Sequence, residues 1–307
     1  MDFTLTEAQR ELAALTRKIL DSSDAPWADL VKAGVVPEHP DEFGVLEQCS
    51  VLVELGRAVS DVPYLPTAVA SSALAKFGTP PAAGTVLSLA LVDDLDGAKT
   101  TVPFATTASA FLVASGTEVF LIDASDVEVV AQELVDGSDA GSFSFSGSGT
   151  LVPGLSPDWL IERYTLGLCA FQLGVCERAL ELTAEYARTR VQFDRPIGSF
   201  QAVAQRLADA YIDVAAIRLT LWQAAWKVSE GLDAAAEIAT AKFWAADAGH
   251  RVAHTAVHVH GGTGIDMSHE VHRYFTAAKR AEFELGGATA QLLKLSAVLQ
   301  AQNQRAG

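Results

Sequence analysis

The sequence of 307 residues is half hydrophobic, so it can bury a sizeable core in two or three structural domains. Its net charge of −16, with no basic stripe, argues against a nucleic-acid partner, and its three unevenly spaced cysteines fit a reducing cytoplasm without disulfides. No apolar run approaches the ~20 residues of a membrane span and no signal segment is visible, so we expect a cytoplasmic protein that does not contact membranes.

The first part of the chain has helical periodicity, and residues 1–84 are predicted to form a helical domain. Thr4 or Thr6 precedes a first helix over residues 7–20, whose leucine and isoleucine side chains share one face. Three more helices are predicted, over residues 29–33 with a stop at Gly34, from about residue 43 to 59, and over residues 67–76 with a stop at Gly78.

After Pro80-Pro81 the pattern changes to short apolar segments rich in β-branched residues, which predict a small β domain over residues 85–153. The predicted strands cover residues 86–92, 110–114, 118–122, 127–131 and 141–147.

Long helical periodicity then returns and predicts an antiparallel helical bundle over residues 154–307. Its predicted helices cover residues 157–189, 199–230, 233–260, 268–284 and 288–302, with glycines as stop signals. The predicted fold class is therefore α+β and mainly α, with an N-terminal helical domain, a small reduced β domain and a C-terminal bundle.

A run of charged, amide and aromatic side chains follows the first long helix of the bundle, Arg188-Thr-Arg-Val-Gln-Phe-Asp-Arg-Pro-Ile-Gly-Ser-Phe-Gln201. Arginine presents forked donors to phosphate oxygens and Phe193 offers a stacking face, so this corner suits a phosphate-rich, planar ligand. A purely structural explanation stays open, because arginines at a helix C-terminus interact favourably with the helix dipole. Ser199 is expected to cap the next helix.

A second motif, Val257-His-Val-His-Gly-Gly-Thr-Gly264, ends a later helix. Glycines let a ligand approach the backbone closely. His258 and His260 are two residues apart and point to different helix faces, so no metal site is predicted. Either both histidines simply belong to a helix end, or His258 donates a hydrogen bond to an adenine edge or a ribose.

Together the two motifs resemble those of the acyl-CoA dehydrogenase family, and the resemblance extends over nearly the whole chain. Asp2-Phe-Thr-Leu-Thr-Glu-Ala-Gln-Arg-Glu-Leu12 is similar to the family's opening helix, and Val53-Glu-Leu-Gly-Arg57 with Pro63-Tyr-Leu-Pro66 to its early helical domain. The resemblance implies FAD-dependent oxidation of an acyl-CoA thioester to the enoyl-CoA, with an electron-transfer acceptor as a further partner. In the family, a carboxylate removes the α proton and hydride leaves the β carbon for flavin N5.

Matched to the family's motifs residue by residue, Arg190, Gln192 and Phe193 stand where contacts to the pyrophosphate and adenosine half of FAD are made. The other matched cofactor positions are Phe200, His258, Gly261, Gly262 and Gly264. His258 stands where the family usually has Gln. In that family the glycine motif serves a flavin seated in the neighbouring subunit.

The family's catalytic base is missing from its usual place. That base is a Glu shortly after an Ala-Lys pair, and here Ala278-Lys279 leads to Leu285, which cannot accept a proton. A second location known in the family matches Tyr164, and tyrosine, whose ordinary pKa is about 10, is a poor base. No catalytic residue is therefore predicted. Glu284 and Glu162 are the fallback candidates, although Glu162 should face away from the Tyr164 position.

Residues that hold a subunit's own flavin are also missing. The Thr-Glu-Pro segment with its following Gly-Ser loop is not found, nor is the Trp-Ile/Val-Ser/Thr segment beside flavin N5. Residues 89–97 stand there instead, and their only polar side chains are acidic, which would repel a pyrophosphate. Gly287 and Thr289 replace a Thr and a Gln of the family.

A half-site can be lost from one chain only if another chain supplies it. The resemblance is therefore to the shortened subunit of heteromeric α₂β₂ acyl-CoA dehydrogenases of bacterial steroid degradation, which implies a second dehydrogenase-like subunit and an FAD shared with it. Two alternatives stay open. One is a homotetrameric dehydrogenase with a displaced Glu base, and the other is a scaffold pseudoenzyme that does not contact flavin.

Overall fold

A computed structural model describes residues 4–36, 43–82, 84–92, 99–145 and 149–306. The helices are α1 (Glu7–Ser22), α2 (Pro26–Lys32), α3 (Val45–Ala58), α4 (Tyr64–Phe77), α5 (Pro157–Thr189), α6 (Gln201–Ser229), α7 (Ala235–His260), α8 (Val271–Phe283) and α9 (Ala288–Ala306). The strands are β1 (Leu87–Val92), β2 (Lys99–Pro103), β3 (Ala110–Ser115), β4 (Glu118–Asp123), β5 (Val127–Glu133), β6 (Asp139–Phe145), β7 (Thr150–Leu151), β8 (Val191–Gln192) and β9 (Arg195–Pro196). Within the described ranges, no helix has both the length and the apolar character needed to cross a membrane.

The predicted helices are present, with local differences at their ends. Thr6 caps α1 reciprocally, because its backbone N–H donates to Gln9 Oε1 at 2.9 Å while Gln9 N–H donates to Thr6 Oγ1 at 3.2 Å. α2 begins three residues earlier than predicted, at Pro26, since proline is favoured in a first helical turn. The predicted cap at Ser199 is wrong: its hydroxyl donates back to the Pro196 carbonyl at 2.7 Å.

Four strands were not predicted. β2 and β7 lack a clear run of alternating apolar residues, and β7, β8 and β9 are each only two residues long. The last predicted strand spans Asp139–Phe145, and the remainder of that prediction, residues 146–147, lies outside the described residues. Residues 93–97 of the predicted acidic stretch also lie outside them.

By their contacts, the residues divide into two compact units. The sheet unit comprises Ala14–Gln48 and Asp61–Tyr164, and the bundle unit comprises Met1–Ala13, Cys49–Ser60 and Thr165–Gly307. The predicted division into three domains at residues 84 and 153 stays a prediction.

The sheet unit contains two small sheets. One has the strand order β1-β3-β4-β7, with β1 and β3 parallel, and the other has the antiparallel order β2-β6-β5. Apolar side chains from both sheets form one core cluster, which includes Val102, Phe111 and Ile122. Thr67 on α4 connects this helix to β1, since its hydroxyl donates to the Leu87 carbonyl at 3.1 Å and accepts from the Leu87 N–H at 3.2 Å.

The bundle unit is built around α7, which contacts α6, α8 and α9. Elsewhere in this unit α3 crosses α5 through two glycines. A Cβ on Gly56 would lie 2.0 Å from the Phe171 carbonyl oxygen, and one on Gly174 would lie 1.9 Å from the Val53 carbonyl oxygen. The crossing is therefore open only to glycine at both positions, and it fixes the helix that leads to the arginine-rich corner.

Candidate functional site

The arginine-rich corner is a tight hairpin at the end of α5. β8 pairs with β9, and the two connecting residues, Phe193 and Asp194, have φ angles of 53° and 64°. Positive φ at both central positions is the geometry of a hairpin turn that normally selects Asn-Gly. A bulky residue held there costs about 1–3 kcal/mol, and such strain is concentrated at functional sites. The turn places Phe193 at the surface, where its side chain is 87% exposed.

The three arginines of this corner have different surroundings. Arg188 is paired with Glu185 at 2.6 Å, and the Arg195 guanidinium lies over the Phe200 ring, 4.2 Å from its centroid. Arg190 is exposed, and its guanidinium has no hydrogen bond, ion pair or ring contact within the part of the chain that the structure describes. Of the three, Arg190 is therefore the guanidinium that is left uncompensated by any described side chain, anionic or aromatic, and it is open to a ligand.

Two aromatic rings lie in this part of the chain, one at the turn of the hairpin and one shortly after it. Phe193 and Phe200 meet edge to face with centroids 6.1 Å apart, so the outer face of Phe193 is open for stacking. Gln192 is exposed, and its amide nitrogen donates to the Val191 carbonyl at 2.9 Å. The hairpin therefore combines a cation, an amide and an aromatic surface.

The second motif ends α7 in a turn that only glycine can form. Gly261 has φ 61° and ψ −135°, a conformation reserved for glycine. Nothing lies within 4 Å of a Cβ built on Gly261 or on Gly262, so this stretch of backbone is open to a ligand. Gly264 differs, because its Cβ would lie 2.8 Å from the Val257 carbonyl oxygen, and it is required by internal packing.

The two histidines of this motif occupy different environments, as their spacing predicts. His258 is exposed. His260 is buried, its Nδ1 lies 2.8 Å from the Ala256 carbonyl oxygen, and burial lowers its pKa. Its ring stacks on Tyr186 of α5 with centroids 4.3 Å apart, and lies 5.3 Å from the ring of His269. Among the described residues, no group of three or more His, Cys, Asp or Glu side chains is arranged to hold a metal.

Tyr186 brings the two motifs together, and sequence inspection missed it. Its backbone carbonyl accepts the Arg190 N–H at 2.8 Å, while its ring covers His260, the residue before Gly261. An aromatic residue one helical turn before the arginines was the available signal. The arginine-rich corner and the glycine turn are therefore parts of one surface of the bundle unit.

The segment after α8 is held by polar contacts to its backbone. Lys242 is fully buried, and its Nζ donates to the carbonyls of Ala281 at 2.7 Å and Glu282 at 3.1 Å. Burial lowers the pKa of this lysine. Leu285 follows with φ 58°, and its carbonyl accepts from the Gln291 amide at 2.9 Å. Sequence inspection missed Lys242, because it is a lone cation in an alanine-rich helix and belongs to no motif.

Comparisons with known proteins show the family and the fold of the chain. A family model described as "Acyl-CoA dehydrogenase, C-terminal domain" matches residues 160–299. The chain is 45% identical to the acyl-CoA dehydrogenase FadE27 of Mycobacterium tuberculosis (strain ATCC 25618 / H37Rv) over 364 aligned positions, which cover 96% of this chain and 98% of that protein. The chain belongs to the acyl-CoA dehydrogenase family. Since the aligned stretch is longer than this chain, FadE27 has internal residues that the chain lacks.

Two solved structures are similar over nearly all of the chain. The chain from the ChsE4–ChsE5 complex of Mycobacterium tuberculosis is 43% identical, with a TM-score of 0.88 over 98% of this chain and 99% of that one. The chain from a variant of the Tcur3481–Tcur3483 steroid ACAD is 30% identical, with a TM-score of 0.89 over 98% of this chain and 100% of that one. The fold is thus that of an acyl-CoA dehydrogenase, mainly helical with a small sheet region.

Acyl-CoA dehydrogenases are FAD-dependent oxidoreductases, and the residues of this surface fit part of that cofactor. The uncompensated Arg190 suits a phosphate, and the bare backbone at Gly261 and Gly262 leaves room that any side chain would fill. Leu285, the residue that the sequence motifs match to the family's base position, is apolar and half-buried. Of the fallback candidates, Glu284 lies half-buried beside Leu285, while Glu162 is half-buried on α5 in the sheet unit and Tyr164, two residues on, is buried.

Proposed function

We propose that this chain is the subunit of a heteromeric acyl-CoA dehydrogenase that binds the pyrophosphate and adenosine side of FAD and supplies no catalytic base. A second dehydrogenase-like subunit shares the FAD in an α₂β₂ heterotetramer and supplies the base. The substrate class is an acyl-CoA thioester of steroid origin, and electrons leave to an electron-transfer acceptor. Similarity to a chain of the ChsE4–ChsE5 complex and to one of a steroid ACAD supports both the heteromer and the substrate class.

The observation that carries this proposal is the contrast between two positions of the bundle unit. At one, Arg190 offers an uncompensated guanidinium beside the exposed ring of Phe193. At the other, Leu285 stands where the family has its carboxylate. A chain that keeps a charged surface for a nucleotide but lacks a proton acceptor is suited to half of a shared site.

Each residue of the surface has a distinct role in the proposal. Arg190 neutralises phosphate charge, Gln192 orients the nucleotide through its amide, and Phe193 packs against it with Phe200 as support. Gly261 and Gly262 let the backbone approach, and the exposed His258 donates to the adenosine. When bound, FAD supplies the acceptor for the hydride that leaves the substrate's β carbon.

Loss of the proposed phosphate contact is the direct test. Arg190→Ala in the complex purified with its partner should weaken FAD binding by about 1.5–3 kcal/mol, the range for a hydrogen bond to a charged group. Arg188→Ala is the matched control, since Arg188 lies at the same helix end, two residues before Arg190, and its guanidinium is already paired with Glu185. Titration of the apo complex with FAD gives both affinities, and equal affinities would refute the role of Arg190.

The composition of the complex tests the shared site. We expect the chain alone to be colourless, and the co-expressed complex to contain one FAD for each pair of unlike chains. A yellow chain that oxidises acyl-CoA on its own would instead indicate a homotetramer with a displaced Glu base. A stable complex whose FAD affinity is unaffected by Arg190→Ala and Gly262→Ala would indicate a scaffold.

A reducing compartment is part of the same proposal. Cys49, Cys169 and Cys176 are all free and buried, and burial raises the pKa of Cys169 to about 12, so its thiol stays protonated. We therefore place the enzyme in the cytoplasm. Mass measurement of the purified complex before and after thiol alkylation under denaturing conditions should find three free thiols in this chain.

A further inference from the structure

Two histidines of α7, His250 and His254, lie side by side on a part of the bundle unit to which the proposed function assigns no role. They are four residues apart, a spacing that places two side chains next to each other on one helix face. Their ring centroids are 4.3 Å apart, and the ring planes are tilted by 36°. Two imidazoles in this helical spacing can share one transition-metal ion. The pair is therefore a candidate for metal chelation.

Side chains of α8 hold both rings. The His250 Nδ1 lies 3.3 and 3.2 Å from the two carboxylate oxygens of Glu282, and His254 meets Phe275 edge to face with centroids 5.2 Å apart. A carboxylate that accepts the Nδ1–H of a histidine leaves a lone pair on Nε2 and fixes the direction of the ring. Metal-binding histidines almost always have such an outer partner. Glu282 thus prepares His250 as a ligand.

Lys279 competes with Glu282 for the same ring nitrogen. Its Nζ lies 2.9 Å from the His250 Nδ1 and 2.5 Å from Glu282 Oε2. If the lysine donated to Nδ1, the imidazole proton would lie on Nε2 and exclude a metal there. The shorter contact is the ion pair with Glu282, which neutralises the lysine and leaves Nδ1–H free to donate to the same carboxylate. The lysine therefore weakens metal binding but does not prevent it.

Both rings line a cavity of about 520 Å³ between α6 and α7. This is ample space for a cation with its water molecules. The cavity also contains the carboxylates of Asp209 and Asp213, which suit hydrogen bonds from metal-bound water. Of its two arginines, Arg251 is paired with Asp213 at 2.6 Å, and Arg206 is exposed and can extend into solvent. A cation beside the two rings is therefore compatible with the charges around it.

From the paired rings, the carboxylate behind one of them and the cavity in front of both, we propose that His250 and His254 bind one Zn²⁺ ion. Water occupies the remaining coordination positions. Two protein ligands agree with the finding that, among the described residues, no three His, Cys, Asp or Glu side chains are arranged around a metal. A structural zinc has four protein ligands, so this site is open and its ion exchangeable. The site does not depend on the residues assigned to FAD.

Calorimetric titration with Zn²⁺ tests which histidines bind. In the full chain, purified without a histidine tag, His250→Gln and His254→Gln should each lower the Zn²⁺ affinity by about 10-fold or more, since loss of a ligand costs no less than loss of its outer partner. His258→Gln is the matched control, because this exposed histidine lies one turn beyond His254, and it should keep the wild-type affinity. Absence of Zn²⁺ binding, or a loss in His258→Gln that equals the loss in His250→Gln, would overturn the proposal.

The groups behind His250 give a second measurement that a chance surface pair would not pass. Glu282→Gln should weaken Zn²⁺ binding by about 10–100-fold, the usual effect of losing an outer-shell carboxylate. Lys279→Met should strengthen it, because the competing donor is gone. Electron paramagnetic resonance with Cu²⁺ as the probe should show two coordinated nitrogens in the wild type and one in His254→Gln. Equal Zn²⁺ affinity in the wild type and Glu282→Gln, weaker binding in Lys279→Met, or a single nitrogen in the wild type would refute the site.

Discussion

Tyr186 and His260 stack with their ring planes 23° apart, and this contact joins two segments that are 74 residues apart in the sequence. The Tyr186 carbonyl accepts a hydrogen bond from the Arg190 N–H, and His260 is followed directly by the glycine turn. The relative position of the uncompensated cation and the bare backbone therefore depends on one aromatic pair. Through this pair, two motifs that are distant in sequence become one surface, the one for which we propose nucleotide binding.

The energy of the pair is expected to be measurable by a double-mutant cycle. Tyr186→Leu and His260→Leu, alone and combined, should give a coupling of about 0.5–1.5 kcal/mol in the free energy of unfolding, as found for stacked aromatic pairs. Chemical denaturation of the purified complex supplies the values. His258→Leu is the control, since this histidine is exposed and should show no coupling with Tyr186. Additive effects of Tyr186→Leu and His260→Leu would contradict a stabilising stack.

Stability should decrease in mild acid because of His260. Burial lowers the pKa of this histidine below its ordinary value of 6.5, so just below that pH the unfolded chain binds a proton that the folded chain does not. The free energy of unfolding should therefore fall as the pH drops from about 7.5 to about 5.5. His254, whose pKa is also lowered by burial, contributes in the same direction.

Substitution separates the contribution of His260 from that of other groups. In His260→Gln the fall in unfolding free energy between the two pH values should be smaller than in the wild type, measured by denaturant titration at each pH. His258→Gln serves as the control at a solvent-exposed position and should keep the wild-type fall. An unchanged fall in His260→Gln would show that this histidine does not titrate differently on folding.

Two glycines of one motif should respond differently to alanine. A Cβ at Gly262 meets nothing within 4 Å, so Gly262→Ala should fold normally and weaken FAD binding by filling the space that the cofactor needs. A Cβ at Gly264 meets the Val257 backbone at 2.8 Å, so Gly264→Ala should lower the free energy of unfolding by about 1–3 kcal/mol. Thermal melts with and without added FAD distinguish the two effects. The prediction fails if Gly262→Ala lowers stability without FAD as much as Gly264→Ala does.

The crossing of α3 and α5 should be intolerant of any side chain. In Gly174→Ala the new Cβ would lie 1.9 Å from the Val53 carbonyl oxygen, and since this contact is with backbone, the helices must move apart. We expect a loss of about 3 kcal/mol or more, at the upper end of overpacking effects, and a similar loss for Gly56→Ala. Denaturant titration measures both, with Gly262→Ala as the control for a glycine in open space. Wild-type stability in Gly174→Ala would exclude the close crossing.

Much of this fold could be predicted because local patterns and tertiary structure agree. α5 begins and ends where apolar periodicity predicts, at Pro157 and Thr189. The parallel pairing of β1 with β3 could not be predicted, since it depends on contacts between strands that are separated by β2. Lys242 was missed for a similar reason. Its partners are carbonyl oxygens at the end of α8, about 40 residues away, and a pattern of residue types contains no information on backbone acceptors.

The candidate site could also be predicted only in part, because a pattern of residue types does not show which side chains have partners. The motifs identified Arg190 and the glycine turn, but the distinction between Arg190, Arg188 and Arg195 depends on which guanidinium has a partner. Likewise, Gly262 and Gly264 look equivalent in the sequence, and only the surrounding atoms separate a glycine beside open space from one that the fold requires.

The proposed absence of a base from this chain gives the last prediction. If a carboxylate of the partner removes the proton, as proposed, Glu284→Gln should leave turnover of the complex within about twofold of the wild type. Loss of a true general base lowers turnover roughly 10²–10⁴-fold. Glu162→Gln should behave like Glu284→Gln, and steady-state rates with an acyl-CoA substrate and an artificial electron acceptor measure all variants. Leu285→Glu should not make the isolated chain active, because in the proposed shared site the partner supplies the residues that hold the flavin ring. A fall of 10²-fold or more in Glu284→Gln, at unchanged FAD content, would instead identify it as the displaced base.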